Sequence, residues 1–335
     1  MPETDATDPL RADLRAAWHR FVDALVPVRP VLHAHCRRLT GSIWDAEDLA
    51  QETLLRAFGQ WGVTYPGIRD PRVYLLRTAT NIWIDDARRR ETARRAAALE
   101  TAAAPPAAEA MPRSMALRDA GDILLRYLSP QEQAALVLKE SFDMTLDEIA
   151  ALLATTTGAV KAALHRGRDR LRATREGAVP HRPRPSAALL DRFVARYEAG
   201  DVQGLIDLML DGGTAENVGN SLHVGATAAD LRPFFEKVVH GHAEWPARFR
   251  PDATRLQRAE VEGEPVLLSL ATRRGREALE VVFRFEEQDG RIRHLRAYGF
   301  CPETIRAVGE LLGLPVVTGI YRAPTPAPGA DWPSG

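Results

Sequence analysis

The chain is poor in cysteine: 335 residues contain two, Cys36 and Cys301, far apart. Their spacing excludes a disulfide framework and a cysteine-built metal site. Two reduced, buried thiols are expected instead, as in a cytoplasmic protein. An excess of charge of either sign is also missing, since 44 Lys and Arg face 45 Asp and Glu for a net charge of −1. Overall charge therefore gives no sign of a nucleic-acid partner. No run is apolar for long enough to span a bilayer. The first residues carry Glu3, Asp5 and Asp8 and lack the basic-then-apolar pattern of a secretory leader. Internal repeats are absent. A soluble, cytoplasmic chain without membrane contact is predicted, long enough for two or three domains.

The local distribution of charge is another matter. Basic residues bunch at Arg88-Arg89-Arg90, at Arg94-Arg95 and from Lys161 to Arg175. A binding surface needs local rather than global charge. From Thr145 to Arg168 the pattern predicts two short helices around a tight turn. In the second, Val160, Leu164, Gly167 and Leu171 follow helical spacing as a buried stripe. Lys161, His165, Arg168 and Arg172 repeat that spacing on another face. One face for a core and one for phosphates is what a helix-turn-helix DNA reader requires. The helix starts are explicit: Ser129-Pro130-Gln131-Glu132 and Thr145-Leu-Asp-Glu148 each spell a capping box, and Thr156 can cap the third helix.

Proline and alanine divide the chain. Residues 99–118 fall in an alanine-rich stretch with Pro105-Pro106, residues 177–186 form a proline-rich connector, and residues 323–335 hold four prolines and read as a disordered tail. These cuts predict domains at 1–98, 119–176 and 187–322.

In the first block, Asp45 to Phe58 is amphipathic at helical period. Ala46, Leu49, Ala50, Thr53, Ala57 and Trp61 lie on the buried side. Asp45, Asp48 and Glu52 lie on another, with Glu47 and Gln51 beside them. A solvated acidic face and a docking face for a basic partner both fit that pattern. The next helix runs from about Pro71 to Arg90, with Val73, Leu76, Ala79, Thr80 and Trp83 inward by spacing. Arg77, Asn81, Asp85 and Arg88 share its polar side, where an amide, a carboxylate and guanidinium groups can meet bases and phosphates together. Trp83 lies near that side, and stacking on an unpaired base and core packing are both open to it.

The run DAEDLAQETLLRAF followed by YLLRTATNIWIDDARRR resembles region 2 of bacterial extracytoplasmic-function sigma factors of the sigma-70 family. LSPQEQAALVLKESFDMTLDEIAALLATTTGAVKAALHRGRDRLR resembles their region 4. The resemblance implies a helical region 2 whose acidic helix docks on the clamp of core RNA polymerase through Asp45, Asp48, Gln51 and Glu52. It implies contact with the −10 promoter element by Asn81, Trp83, Asp85, Arg88 and Arg89. It implies contact with the −35 element by Lys161, His165, Arg166 and Arg168. Ala159 and Ala163 stand where relatives often carry polar or basic side chains. Weaker direct readout follows, with phosphates and DNA shape contributing more. Gly167 stands where relatives usually have alanine, costs about 1 kcal/mol in helix propensity and permits close helix packing.

Beyond residue 186, Leu190, Phe193, Val194 and Tyr197 form a helical stripe. Gly200-Asp201 ends that helix and caps a second, Val202 to Leu210. Strands are predicted at Pro265–Ala271, Ala278–Phe285 and Arg291–Tyr298, joined by turns at Arg274-Gly275 and Asp289-Gly290. Helices followed by an antiparallel sheet make an α+β domain. LLDRFVARYEAGDVQGLIDLML with VEGEPVLLSLATRRGREALEVVFRFEEQDGRIRHLRAYGF resembles the SnoaL-like group of the NTF2 fold, a curved sheet wrapped by helices around a pocket. Some members are enzymes and others only bind, and the domain is known appended to sigma factors of this kind. His223, Asp230, His240, His242 and Glu244 are its acid–base candidates, but no metal-ligand pattern joins them. Asp211-Gly212-Gly213 fits a turn after a helix and also resembles part of a regulatory glycine-rich motif of sigma-linked relatives.

The expected chain is thus a non-enzymatic transcription initiation factor without cofactor or metal. Two all-α domains precede an α+β domain that contacts them and regulates them in cis. Its expected partners are core RNA polymerase and promoter DNA, with an unknown small molecule in the C-terminal pocket as a further candidate. The competing reading is a catalytic or small-molecule-sensing SnoaL-like protein whose DNA-binding part acts as a one-component regulator.

Overall fold

The computed structural model describes residues 21, 25–64, 70–100, 128–142, 144–173, 184–240 and 251–318. The chain divides into two compact units between Pro180 and His181. Of the linker expected at 99–118, residues 99 and 100 are still helical and the rest lie outside the described residues, as do 177–183 of the one at 177–186, the tail at 323–335, His242 and Glu244.

The N-terminal unit is helical. Helix α1 (Arg29–Thr40) starts on a first-turn proline and stops at Gly41, whose φ of +67° lets its N–H reach the Arg37 carbonyl. Helix α2 is Ile43–Thr64 and α3 is Pro71–Glu100. Asp70 starts α3 by accepting the Arg72 and Val73 N–H groups at 2.9 and 3.2 Å. Leu32, Leu39, Ala46, Ala50, Leu54, Leu75, Ala79 and Ile82 close these helices around one core.

Helix α4 (Pro130–Phe142), α5 (Leu146–Leu152) and α6 (Thr157–Ala173) follow. The capping signals act as written. The Ser129 N–H donates to Glu132 Oε2 at 3.0 Å, Thr145 and Glu148 close a reciprocal box, and the Ala159 N–H donates to Thr156 Oγ1 at 3.1 Å. Leu136, Leu138, Ile149, Leu152, Val160 and Leu164 form a second core. Helix α4 serves both cores. Its Ala134 and Val137 pack into the α1–α3 core, while Leu76 of α3 packs into the second.

The C-terminal unit is α+β. Helix α7 (Ala187–Glu198) and the short α8 (Val202–Ile206) precede strand β1 (Met209–Asn217) and β2 (Ser221–Val224). A 3-10 turn at Ala228–Leu231 leads into α9 (Arg232–His240). Strands β3 (Ala253–Val261), β4 (Glu264–Arg273), β5 (Arg276–Gln288) and β6 (Arg291–Ala297) and helix α10 (Pro302–Leu312) complete it. The sheet order is β2-β1-β6-β5-β4-β3. Phe193 of α7 and Phe234 and Phe235 of α9 bury one sheet face with Leu267, Phe283, Phe285 and Leu295. At the predicted turns, Arg274-Gly275 and Asp289-Gly290 hold φ of +51° and +73°, and +53° and +73°. Two successive left-handed residues make a tight hairpin turn whose twist matches its strands.

Three expectations of this unit need correction. The second helix, expected over Val202 to Leu210, ends at Ile206, and Met209 opens β1. The sheet is mixed, because β1 pairs with β6 in parallel. Asp211-Gly212-Gly213 lies inside β1, where the register with β6 shifts between Met209 and Thr214. Gly212 takes φ +74° there, and a Cβ on Gly213 would lie 2.8 Å from the Leu210 oxygen. The glycines serve a strand irregularity rather than a turn.

Candidate functional site

Helix α6 shows its cations to solvent, and most are already engaged. Lys161, His165, Arg166, Arg168 and Arg170 are exposed. Arg166 Nε donates to Glu132 Oε1 at 3.0 Å, and Arg170 Nη1 donates to Glu132 Oε2 at 2.6 Å. Arg168 pairs with Glu140 at 2.6 Å, and His165 Nδ1 lies 2.8 Å from Asp169. Glu132 is 2% exposed. Burial pushes its carboxyl up, but the Ser129 backbone N–H, Arg166, the Ser129 hydroxyl and Arg170 outweigh burial and hold it below the ordinary glutamate value. Ala159 is exposed on this helix, whereas Ala163 is 6% exposed and belongs to the core. Ala163 is therefore a packing position, unlike the exposed readout position expected of it.

Gly167 accounts for the closeness of α6 to α4. A Cβ there would lie 2.7 Å from Leu136 Cδ1 and 3.5 Å from Glu132 Cβ. The glycine thus brings the two helices together beside Glu132.

On α3, Arg77, Asn81, Asp85, Arg88 and Arg89 are exposed. Arg88 lies 4.0 Å from Asp85, and Arg89 and Arg90 lie 3.7 and 3.0 Å from Asp86. Trp83 is a correction: at 8% exposed it packs in the α1–α3 core and presents no face for base stacking. Val73, expected inward, is 42% exposed. It occupies the first turn of α3, outside that core.

On α2, Asp45, Asp48 and Gln51 are half-buried and Glu52 is exposed, paired with Arg56 at 2.6 Å. Glu47 leaves the acidic face altogether. It is fully buried, takes Arg29 Nη2 at 3.0 Å, lies 3.5 Å from His33 and accepts the Gln51 amide at 2.6 Å. Sequence reasoning missed Leu55, which is 60% exposed one turn beyond Glu52. A leucine at the third position after that acid, off the apolar stripe, was the available signal.

Two of the C-terminal candidates, Asp230 and His223, are engaged in local structure. Asp230 accepts the Thr227 N–H at 2.8 Å, and this bond with the Thr227 hydroxyl lowers its pKa. His223 meets the Phe234 ring edge-on and lies 3.3 Å from Ser221 Oγ. Burial, then Lys237, lowers its pKa. His240 is exposed. Polar contacts not foreseen join β1 to β6 and β4 to β5. Arg296 donates to Glu216 at 2.9 Å, His294 touches Thr214 and Glu216, and Arg284 holds Glu264 through two nitrogens at 2.9 and 2.7 Å and Tyr298 Oη at 3.0 Å. Among the described residues, no group of His, Cys, Asp or Glu is arranged to hold a metal ion, and no helix is long and apolar enough to cross a membrane.

The Sigma-70 region 2 family model matches residues 26–93, which take in α1, α2 and most of α3. The Sigma-70, region 4 model matches residues 124–171, which take in α4, α5 and most of α6. The RNA polymerase sigma-E factor of Streptomyces avermitilis is 33% identical over 140 residues, 41% of this chain and 74% of that protein. SigD of Mycobacterium tuberculosis, an ECF RNA polymerase sigma factor, is 30% identical over 162 residues, 45% of this chain and 74% of that protein. The chain belongs to the extracytoplasmic-function sigma factors. SigG of Mycobacterium tuberculosis, an ECF RNA polymerase sigma factor, is 32% identical over 211 residues. That alignment takes in 54% of this sigma factor and 57% of SigG, so the chain spans little more than half the length of that relative. The crystal structure of the M. tuberculosis extracytoplasmic function sigma factor SigJ matches with a TM-score of 0.32 at 22% identity, over 83% of this sigma factor and 95% of that chain. Residues 184–318 of this sigma factor, the described part of the C-terminal unit, lie outside both family models.

Proposed function

We propose that this sigma factor binds core RNA polymerase and directs it to promoters with a −10 and a −35 element. The observation that carries the reading is the pair of exposed polar stripes on α3 and α6, each within a segment matched by the corresponding sigma region. Asn81, Asp85, Arg88 and Arg89 are the residues proposed at the −10 element, with Trp83 supporting them from the core. Lys161, His165, Arg166 and Arg168 are those proposed at the −35 element. Asp45, Asp48, Gln51 and Glu52 form the proposed polymerase face. The C-terminal α+β unit is proposed to regulate the N-terminal unit in cis, and the domains expected from sequence at 1–98, 119–176 and 187–322 are retained within that proposal.

In-vitro transcription with core polymerase tests both parts, using the full chain and a truncation after Arg175. Promoter-specific initiation by at least one form is expected, and failure of both sinks the sigma reading. Identical behaviour of the two forms sinks regulation in cis. Charge reversal at Asp48 and Glu52 separates this reading from a one-component regulator: polymerase binding should disappear, whereas DNA binding without polymerase would be untouched. The catalytic or ligand-sensing reading of the C-terminal unit gains no support from His223 and Asp230, whose observed contacts are those of local packing and capping, or from His240, which is exposed.

A further inference from the structure

A carboxylate buried beneath a DNA-reading helix is costly unless it is paired. Glu132 meets that condition with two guanidinium groups, Arg166 at 3.0 Å and Arg170 at 2.6 Å, one turn apart on α6. Gly167 lies between them and allows the close approach to Leu136. The guanidinium-bearing side chains remain 57% and 52% exposed on their outer side. Arg168 has its own α4 partner in Glu140. Every arginine among the described side chains of α6 therefore shares its charge with an acid of α4, and Lys161 is the described cation of this helix that forms no pair of this kind.

We infer that Glu132 is a positioning and specificity-setting residue of the −35 reader: it fixes Arg166 and Arg170 against α4 and withholds their charge from non-specific phosphate binding. This rests on the promoter-reading function proposed above. Sequence-independent affinity for DNA comes from cations that neutralise phosphates and release counterions. An arginine already facing a carboxylate releases fewer. Binding to arbitrary DNA is thereby lowered, and interactions that require the exact placement of α6 gain relative weight. The same carboxylate completes the α4 capping box, so the start of α4, the height of α6 and the charge of the reader depend on one side chain.

The test uses holoenzyme assembled from core polymerase and the full chain. Binding is measured on a promoter fragment and on the same fragment with its −35 element scrambled, across a salt series. Glu132→Gln keeps the capping geometry, since glutamine also closes the box, and removes the charge. Its binding to the scrambled fragment should fall about tenfold more steeply than wild type between about 50 and 200 mM salt, as two further phosphates are neutralised. Its preference for the intact −35 element should fall correspondingly. Arg170→Gln, at an exposed position, supplies an independent check. The slope of log affinity against log salt should become shallower by less than about 0.45 in this variant, half the value of one neutralised phosphate. In Lys161→Gln it should become shallower by the full value, roughly 0.9. A change of the full value in Arg170→Gln, or a Glu132→Gln holoenzyme with wild-type slope and preference, overturns the inference. If the wild-type holoenzyme itself ignores scrambling of the −35 element, the promoter reading fails, and that result is distinct from an unchanged Glu132→Gln.

Discussion

Gln133 donates its side-chain amide to the backbone oxygen of Leu39 at 2.5 Å. The acceptor lies in the last turn of α1, where helix carbonyls lack partners within the helix. The donor is 4% exposed on α4. The bond ties the region matched as sigma region 4 to the region matched as region 2. Gln133→Leu should leave the carbonyl unsatisfied at a cost of about 1–3 kcal/mol. Hydrogen exchange in α4 and in the last turn of α1 should then speed up, by roughly ten- to a hundredfold. Wild-type exchange rates would show that the apolar contacts of Ala134 and Val137 hold α4 by themselves.

Gly167→Ala opposes two effects. Alanine gains about 1 kcal/mol of helix propensity, and its methyl group would meet Leu136 Cδ1 at 2.7 Å. Overpacking costs about 1–3 kcal/mol, so a small net loss of stability is expected. In combination with Leu136→Ala the new methyl group finds room. A double-mutant cycle on chemical denaturation should return a coupling of about 1 kcal/mol in the compensating direction. Additive effects would mean that Leu136 moves aside freely.

His35 links the N-terminal unit to pH. Burial, then the charge of Arg38, lowers its pKa from 6.5 to about 3, against an opposing backbone hydrogen bond with Leu76. Above pH 6.5 the ring is neutral in both folded and unfolded chains. Below it, the unfolded chain takes up a proton that the folded chain refuses until about pH 3. Stability should therefore fall as pH falls through this window, by at most about 1.4 kcal/mol per pH unit from this group. His35→Gln, which can still bond Thr80, should flatten the dependence between about pH 5 and 6.5, above the range of ordinary carboxylates. Parallel curves for the two proteins would show that His35 titrates alike in both states.

Leu55 is an exposed apolar residue of α2. Leu55→Ser should change folding stability by no more than about 0.5 kcal/mol, as expected of an exposed site. Affinity for core polymerase should drop about tenfold if the side chain is a buried anchor in the complex. A pull-down titration against core polymerase reads this directly, and unchanged affinity would confine docking to the charged residues.

In the C-terminal unit, Glu264 and Arg284 are 7% and 13% exposed and joined by two bonds. Glu264→Ala removes the doubly bonded carboxylate partner of a buried guanidinium and should cost about 3–5 kcal/mol, whereas Glu264→Leu with Arg284→Met should cost far less. Thermal unfolding of the two variants distinguishes a pair that must be complete from one that is dispensable.

The sequence was most readable where one short segment carries the whole signal. Ser129, Thr145 and Thr156 start their helices because cap and partner lie three residues apart. Arg274-Gly275 and Asp289-Gly290 turn because their backbones alone determine the hairpin. Reading failed where a distant segment decides. Glu47 reads as part of an acidic face until Arg29 and His33 of α1 are set against it. Trp83 borders the polar side of α3, and only the packing of α1 and α2 assigns it to the core. Ala163 follows helical spacing as well for the core as for the groove. Asp211 to Gly213 looks like a turn because the strand that pairs on either side of this segment begins at Arg291. The double engagement of Glu132 could not be inferred from a capping box, which accounts for its contact with Ser129 and not for those with Arg166 and Arg170.

The parallel pairing of β1 with β6 sets an order on how the C-terminal unit is assembled during synthesis. The last strand to leave the ribosome lies between the first strands and the rest. Until residues 291–297 emerge, β1–β2 and β3–β4–β5 are separate ribbons with unpaired edges, the condition that invites pairing with other chains. β6 is the closing strand of the sheet, and a nascent chain halted before Arg291 should be a client for chaperones even though most of the unit has been made.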